Sequence, residues 1–363
     1  MIILAKPLAA SFAGSALDPR ARILLPHATD HRKLVLAGSN YLPINIGGRW
    51  FFVDQDIEID MAADLDTGAL QAAKDYCVYA CYNGGSLVFL ASLNTTAPAG
   101  YTADNSLKIG GGHTLCVAVG VIAGHALTGY LATDLLPASI WDLRHRPAGI
   151  AGAAGMVYSD KLNLWVDIYL QSGTGVSTAS AYGAAITDTR VWMDHVDDLA
   201  AVGKTLLDDS EFQVFVDGSN EKTNIVGSAD PVTTGGHVDT AGRRMISAIG
   251  CEDCCGVMWQ WLRDQTYRFD GAANHTHQVT VSGDPETVAS GNPSADVAPG
   301  WNWYALPGNK GSLYRQGTYG DAKLLAGGSW SYGANCGSRA RLAYHWRWFA
   351  YANIGGRGRA AAR

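Results

Sequence analysis

Gly327-Gly-Ser-Trp-Ser-Tyr-Gly-Ala-Asn-Cys-Gly-Ser-Arg-Ala-Arg-Leu-Ala-Tyr-His-Trp-Arg-Trp-Phe-Ala-Tyr-Ala-Asn-Ile-Gly-Gly-Arg357 is unlike anything that precedes it in the chain. Gly, Arg and aromatic residues interleave here, and acidic residues are almost absent from the last forty positions. A frame of Gly, Ala, Arg, Trp and Cys is interrupted at Ser331, Tyr332, Leu342, Tyr344, His345, Phe349 and Tyr351. Tyr, His, Phe and Ser supply contact area with few torsions, or adaptable hydrogen bonds, as antibody loops do. Several aromatics exposed together form a patch that a soluble protein does not carry without use. In the frame, guanidinium forks can satisfy several backbone carbonyls at once, which suits Arg339, Arg341, Arg347 and Arg357 to bracing turns.

Working outward, residues 265 to 320 read as loop, with turn clusters at Ser282-Gly-Asp-Pro-Glu286 and Ser290-Gly-Asn-Pro-Ser294. The centre carries two helix patterns. Asp188-Thr189 predicts a cap for a helix with Val191, Val196 and Leu199 at helical spacing and Gly203 as its terminator. Asp208-Asp209-Ser-Glu-Phe212 predicts a second, short helix with acids in its first turn, ended by Gly218. Residues 1 to about 130 read as short strands split by Gly, Asn and Asp, such as Lys33-Leu-Val-Leu36 and Arg49-Trp-Phe-Phe-Val53. Asn83-Gly84 between two strand-like runs is a hairpin signal. Asp104 to Gly112 reads as a loop, and Leu115 to Ile122 as a buried strand. Met1 to Pro7 reads as a strand or arm and not a signal peptide, because no basic residue precedes its apolar run.

The whole chain of 363 residues is 47% hydrophobic and 17% charged, which makes it core-forming. With 27 Lys and Arg against 33 Asp and Glu, net −6, it offers no general phosphate-binding surface, so nucleic acid is not an expected partner. The longest apolar stretch, Leu115 to Ala123, is about half the length needed to cross a bilayer, so no membrane insertion is expected. Seven cysteines without a paired framework point to reduced, buried thiols and synthesis in a cytoplasm.

Several motifs resemble chemistry that their surroundings argue against. Gly203-Lys204-Thr205 lacks the first glycine of a phosphate loop and follows a helix pattern. Cys251, Cys254 and Cys255 have no second pair at zinc spacing. His275 and His277 form at most half of a metal site, and Cys336 has no positioned histidine. No catalytic residues, metal or cofactor are expected.

Three ordered segments carry a resemblance. Gly203 to Phe212, Gly250-Cys-Glu-Asp-Cys-Cys-Gly-Val-Met-Trp-Gln-Trp261 and Gly327 to Arg357 are similar to successive motifs of formylglycine-generating enzymes and their sulfatase-modifying-factor relatives. The resemblance spans about residues 140 to 363 and implies a C-type lectin fold of that type. The oxidase chemistry is not implied, because the two nucleophile positions fall on Gly337 and Leu342. Cys336 is one residue out of register, which in extended backbone turns it to the other face. Residues 327 to 357 more narrowly resemble the variable region of proteins diversified by retroelements, a family that includes the phage tropism determinants. In that family adenine-directed mutagenesis rewrites AAC codons, whose products exclude Lys, Glu, Gln, Met and Trp. None of the interrupting residues belongs to that excluded set.

The fold class expected is α+β: a C-terminal C-type lectin domain over residues 136–363, with its variable region at about 327–359, preceded by a β-rich domain over 1–135. The resemblance implies ligand binding by Ser331, Tyr332, Leu342, Tyr344, His345, Phe349 and Tyr351 on one exposed face. The scaffold behind it would be Trp259, Trp261, Trp330, Arg339, Arg341, Trp346 and Trp348, with the five tryptophans mostly buried. The expected function is host recognition from a viral tail or surface by a protein assembled in the host cytoplasm and then carried on the virion. Its partners would be a host-surface protein or glycan and other virion proteins, with a homo-oligomer such as a trimer left open. A cellular surface adhesin of the same family is the alternative, and a sulfatase-modifying-type oxidase a remote one.

Overall fold

A computed structural model describes residues 2–4, 22–38, 42–268, 302–305, 310–315 and 320–363. His275, His277 and the turn clusters beginning at Ser282 and Ser290 lie outside the described residues. The described chain is mostly β, with two α-helices. It divides into one unit of Met1–Ala118, Tyr130–Val157 and Ala361–Arg363, and a second of Val119–Gly129 and Tyr158–Ala360. The two units are therefore interleaved in sequence, where a single cut after residue 135 was expected.

In the first unit, alternating strands put one apolar face inward. Lys33–Leu36 buries Leu34 and Leu36, and Leu42–Ile46 buries Leu42, Ile44 and Ile46. Ile2–Leu4 pairs antiparallel with Arg49–Val53, as expected for a strand-like start. Asp75–Tyr82 and Leu87–Ser92 form the hairpin, with Tyr82 opposite Leu87. Asn83 Oδ1 accepts the N–H groups of Gly85 and Ser86 at 3.2 and 3.0 Å inside its turn.

Two expectations fail here. Gly110 to Gly112 is not loop but belongs to the strand Ser106–His113. Its glycines serve close approach: a Cβ on Gly110 would strike the Trp141 carbonyl, and one on Gly111 the Tyr76 carbonyl. Leu115 to Ile122 is not a strand. Gly120 turns the chain with φ +73°, its carbonyl accepts the Gly129 N–H at 2.8 Å, and Val121 is 94% exposed.

The second unit is built on a six-stranded sheet ordered Asn302–Ala305, Ser312–Arg315, Gly337–His345, Gly320–Gly327, Trp259–Arg268, Ile354–Gly355. Residues 327–357 thus supply a central strand, a loop and an edge strand. Helix α1, Trp192–Ala201, packs Leu199 into a core shared with Trp259, Trp261, Leu325 and Leu342. It starts later than the Asp188-Thr189 pattern predicts. Thr189 sits at φ +51° with its N–H donated to the Tyr351 carbonyl, so Val191 takes the cap position and Asp194 reaches back to the Val191 N–H at 3.3 Å. Helix α2, Asp209–Phe215, starts at the predicted place. Asp208 accepts from Glu211 N–H and Glu211 from Asp208 N–H, each at 2.8 Å. Thr205 and Leu206 then pair with Arg359 and Gly358. No helix among the described residues is long and apolar enough to cross a membrane.

Candidate ligand-binding face

The floor of the face is a dense frame. Arg357 is fully buried and donates to Gln260 Oε1 at 2.9 Å, to the carbonyls of Asp167 and Ile168 at 2.8 and 2.7 Å, and to the Glu252 carbonyl at 2.5 Å. Arg341 pairs with Asp209 and donates to the carbonyls of Ser338 and Ala340, both at 2.9 Å. These two guanidiniums brace backbone as their chemistry suggests. Arg339 is half-buried and Arg347 likewise; their backbones accept or donate where the strand and loop are fastened, Arg339 N–H to Lys310 O at 2.8 Å. Gly327 at φ +92° lets its backbone approach the Cys254 carbonyl, where a Cβ would come to 2.7 Å.

Burial shapes the charge of this frame. It pushes the Asp209 carboxyl up despite the neighbouring Arg341, and raises Glu221, whose Oε2 accepts the Ser338 N–H at 3.0 Å. The Cys336 thiol is pushed up to about 12 by burial, and the Cys254 thiol likewise to about 12. A thiol held neutral is a poor nucleophile. Lys204, in the segment that mimics a phosphate loop, is buried against Asp167 at 2.6 Å. Among the described residues, no three His, Cys, Asp or Glu side chains are grouped to hold a metal ion.

Above the frame, the structure divides the sequence-chosen residues differently from the expectation. Leu342 is 1% exposed and belongs to the core with Trp259 and Trp261, and His345 is 7% exposed. Both were expected on the outer face. Leu342 instead sits within the central strand opposite Leu325, where its side chain faces the shared core. Trp346 and Trp348 were expected in the core, yet they are 51% and 66% exposed. The strand ends at His345, so both indoles leave the sheet on the following loop. Trp259 and Trp261 are buried, and Trp330 is half-buried against Leu170, Ile225 and Met258. The Tyr344 side chain lies outside the described residues.

What remains outward is Ser331, Tyr332 in part, Trp346, Trp348, Phe349 in part and Tyr351. Their rings are organised. Phe349 lies flat on His345 with centroids 3.5 Å apart, meets Trp346 edge-on at 6.0 Å, and runs nearly parallel to Tyr351 at 6.3 Å. Burial raises the Tyr332 hydroxyl, and Tyr351 is among the groups close enough to act on it. The loop backbone is tied to the start of α1, with Trp192 N–H donating to Arg347 O at 3.1 Å and Thr189 N–H to Tyr351 O at 3.3 Å. Sequence reasoning missed the two exposed indoles. Their i, i+2 spacing past a strand end was the available signal. The tie to Thr189 and Trp192 left no such trace.

Residues 27–142 match the family model described as the Mtd second domain. The chain is 28% identical over 312 residues to the tail fiber receptor-binding protein of Bordetella phage BPP-1, covering 80% of this chain and 71% of that protein. Its fold matches that of the Major Tropism Determinant U1 variant with TM-score 0.69 and 24% identity, over 98% of this chain and 88% of the other. The M1 variant matches with the same TM-score and identity over 96% and 85%.

Proposed function

We propose, for a chain that carries an Mtd second domain and is homologous over most of its length to a phage tail fiber receptor-binding protein, that it recognises a host-surface molecule through the loop face of its second unit. One observation carries the reading: Trp346, Trp348 and Tyr351 stand more than half exposed on one short loop whose backbone is tied to α1 at Arg347 and to Thr189 at Tyr351. Trp and Tyr dominate the energetics of protein recognition surfaces, and a soluble chain does not expose three together without use. The function is binding without turnover. The thiols behind the face are buried and neutral, and Gly337 and Leu342 stand where an oxidase of this fold would need cysteines.

On this reading the protein acts at the virion tail, with residues 1–135 attaching it to other virion proteins or to its own copies. Residues 327–359 are then a segment rewritten by a retroelement. Ser331, Tyr332, Phe349 and Tyr351, with Tyr344, are the rewritten contacts, while Trp346 and Trp348 are contacts that the frame supplies.

The fluorescently labelled full chain, offered to a panel of bacterial strains, is expected to stain a subset. Antibody against it should decorate virion tails in electron micrographs. A near-copy of codons 327 to 359 carrying AAC at the interrupted positions should lie in the flanking DNA. Uniform staining of all strains, or of none, overturns the reading, and decoration of bacterial envelopes in uninfected cells would favour an adhesin instead.

A further inference from the structure

We propose that His345 is a positioning residue of this face: it holds the loop 346–351 in its binding shape and does not itself touch the ligand. The inference rests on the reading of that loop as the binding face. His345 closes the strand Gly337–His345 opposite Lys323 and is 93% withdrawn from solvent by its 7% exposure. Its ring nevertheless presents one flat side to Phe349, 10° from parallel. Phe349 in turn carries Trp346 at its edge and Tyr351 beside it. The ladder therefore runs from the sheet outward, His345 to Phe349 to the exposed rings.

The loop's aromatic side chains need this support. The loop has an internal turn, Phe349 N–H to Trp346 O at 2.9 Å, and is fastened to α1 and Thr189 at Arg347 and Tyr351. Those bonds fix backbone positions but leave the aromatic torsions to be set by ring contacts. A recognition loop whose side chains are already in place loses less freedom on binding, and the gain shows mainly as slower dissociation. A flat ring at 345 supplies a face for Phe349; an aliphatic side chain of similar bulk fills the volume without one. Rewriting residue 345 therefore changes how firmly the loop is held and not which groups the ligand meets.

The test compares the full-length wild type with His345→Ala, His345→Leu and His345→Phe. The probe is intact cells of the strain that the wild type stains most brightly, with amide hydrogen exchange of residues 347–351 measured on each free protein. His345→Ala and His345→Leu are expected to dissociate about tenfold faster and to exchange faster at 347–351, while His345→Phe restores both. If His345→Leu binds as well as His345→Phe, volume alone suffices and the proposal fails. If His345→Phe keeps wild-type exchange but loses binding, the imidazole touches the ligand and the proposal also fails. Unchanged exchange in His345→Leu overturns it without reference to any ligand. Should the wild type stain no strain, the proposed function falls, and the exchange data still decide whether residue 345 positions the loop.

Discussion

Tyr332 stands edge-on to Trp259, ring centroids 5.4 Å apart and planes at 74°. One ring belongs to the candidate face and the other to the core, so this contact is where the candidate face and folding energy meet. Ser331, its neighbour, is exposed and carries no ring. Tyr332→Ala should lower stability by about 1–2 kcal/mol through the lost ring pair and area, whereas Ser331→Ala should stay within about 0.5 kcal/mol. Urea titrations of the two variants read this directly, and equal midpoints would place Tyr332 wholly on the surface.

The two exposed indoles should behave as ligand anchors and not as core. Trp348→Ala is expected to leave the unfolding midpoint within about 0.5 kcal/mol of wild type and to weaken cell binding more than tenfold. Trp259→Ala should do the opposite, losing about 3–5 kcal/mol of stability to a cavity. Thermal unfolding beside cell staining separates them.

Leu342 gives the sharpest check on which interrupting residues are free to vary. It lies in the core with Trp261 and Leu325, so Leu342→Ala should cost about 2–5 kcal/mol. Leu342→Ser should cost more, because a hydroxyl would be buried there without a designed acceptor. Calorimetry that finds either variant as stable as wild type would return Leu342 to the outer face.

Acid should loosen the second unit through His195. This α1 residue is buried with Nδ1 2.8 Å from Gln171 Oε1, and burial holds its pKa down to about 4 from the usual 6.5. A histidine depressed in the native state binds fewer protons folded than unfolded, so stability rises with pH across that interval. The contribution is complete above about pH 6.5 and is lost as pH falls toward about 4, up to about 3 kcal/mol in all. The melting temperature of wild type should fall over this window more steeply than that of His195→Gln.

The fold was legible where a local rule has few competitors. The Asn83-Gly84 hairpin and the Asp208–Glu211 cap are written in residues whose side chains bond their own turn. Burial of Trp259 and Trp261 was legible through the resemblance carried by the motif around them. The failures share a cause, which is that distant chain decides the outcome. Gly110 and Gly111 read as loop because glycine usually does, and only the Trp141 and Tyr76 backbones show that a sheet needs them bare. The start of α1 moved because Tyr351 claims the Thr189 amide. In the candidate face, composition singled out the segment but could not say where its strand stops. That single boundary, at His345, exchanged the places of Leu342 and His345 with those of Trp346 and Trp348.

Arg357 bonds the carbonyls of Asp167 and Ile168, some 190 positions earlier in the chain. A contact of such long sequence separation forms late, after much chain entropy has been spent. During synthesis the second unit must therefore wait, with Gln260 and four backbone carbonyls unserved, until residue 357 has left the ribosome. A polypeptide that stops anywhere between Ser331 and Tyr351 never supplies that guanidinium, and these acceptors stay without it. The arginine that braces the floor thus makes closure of the second unit depend on synthesis of the far end of the segment.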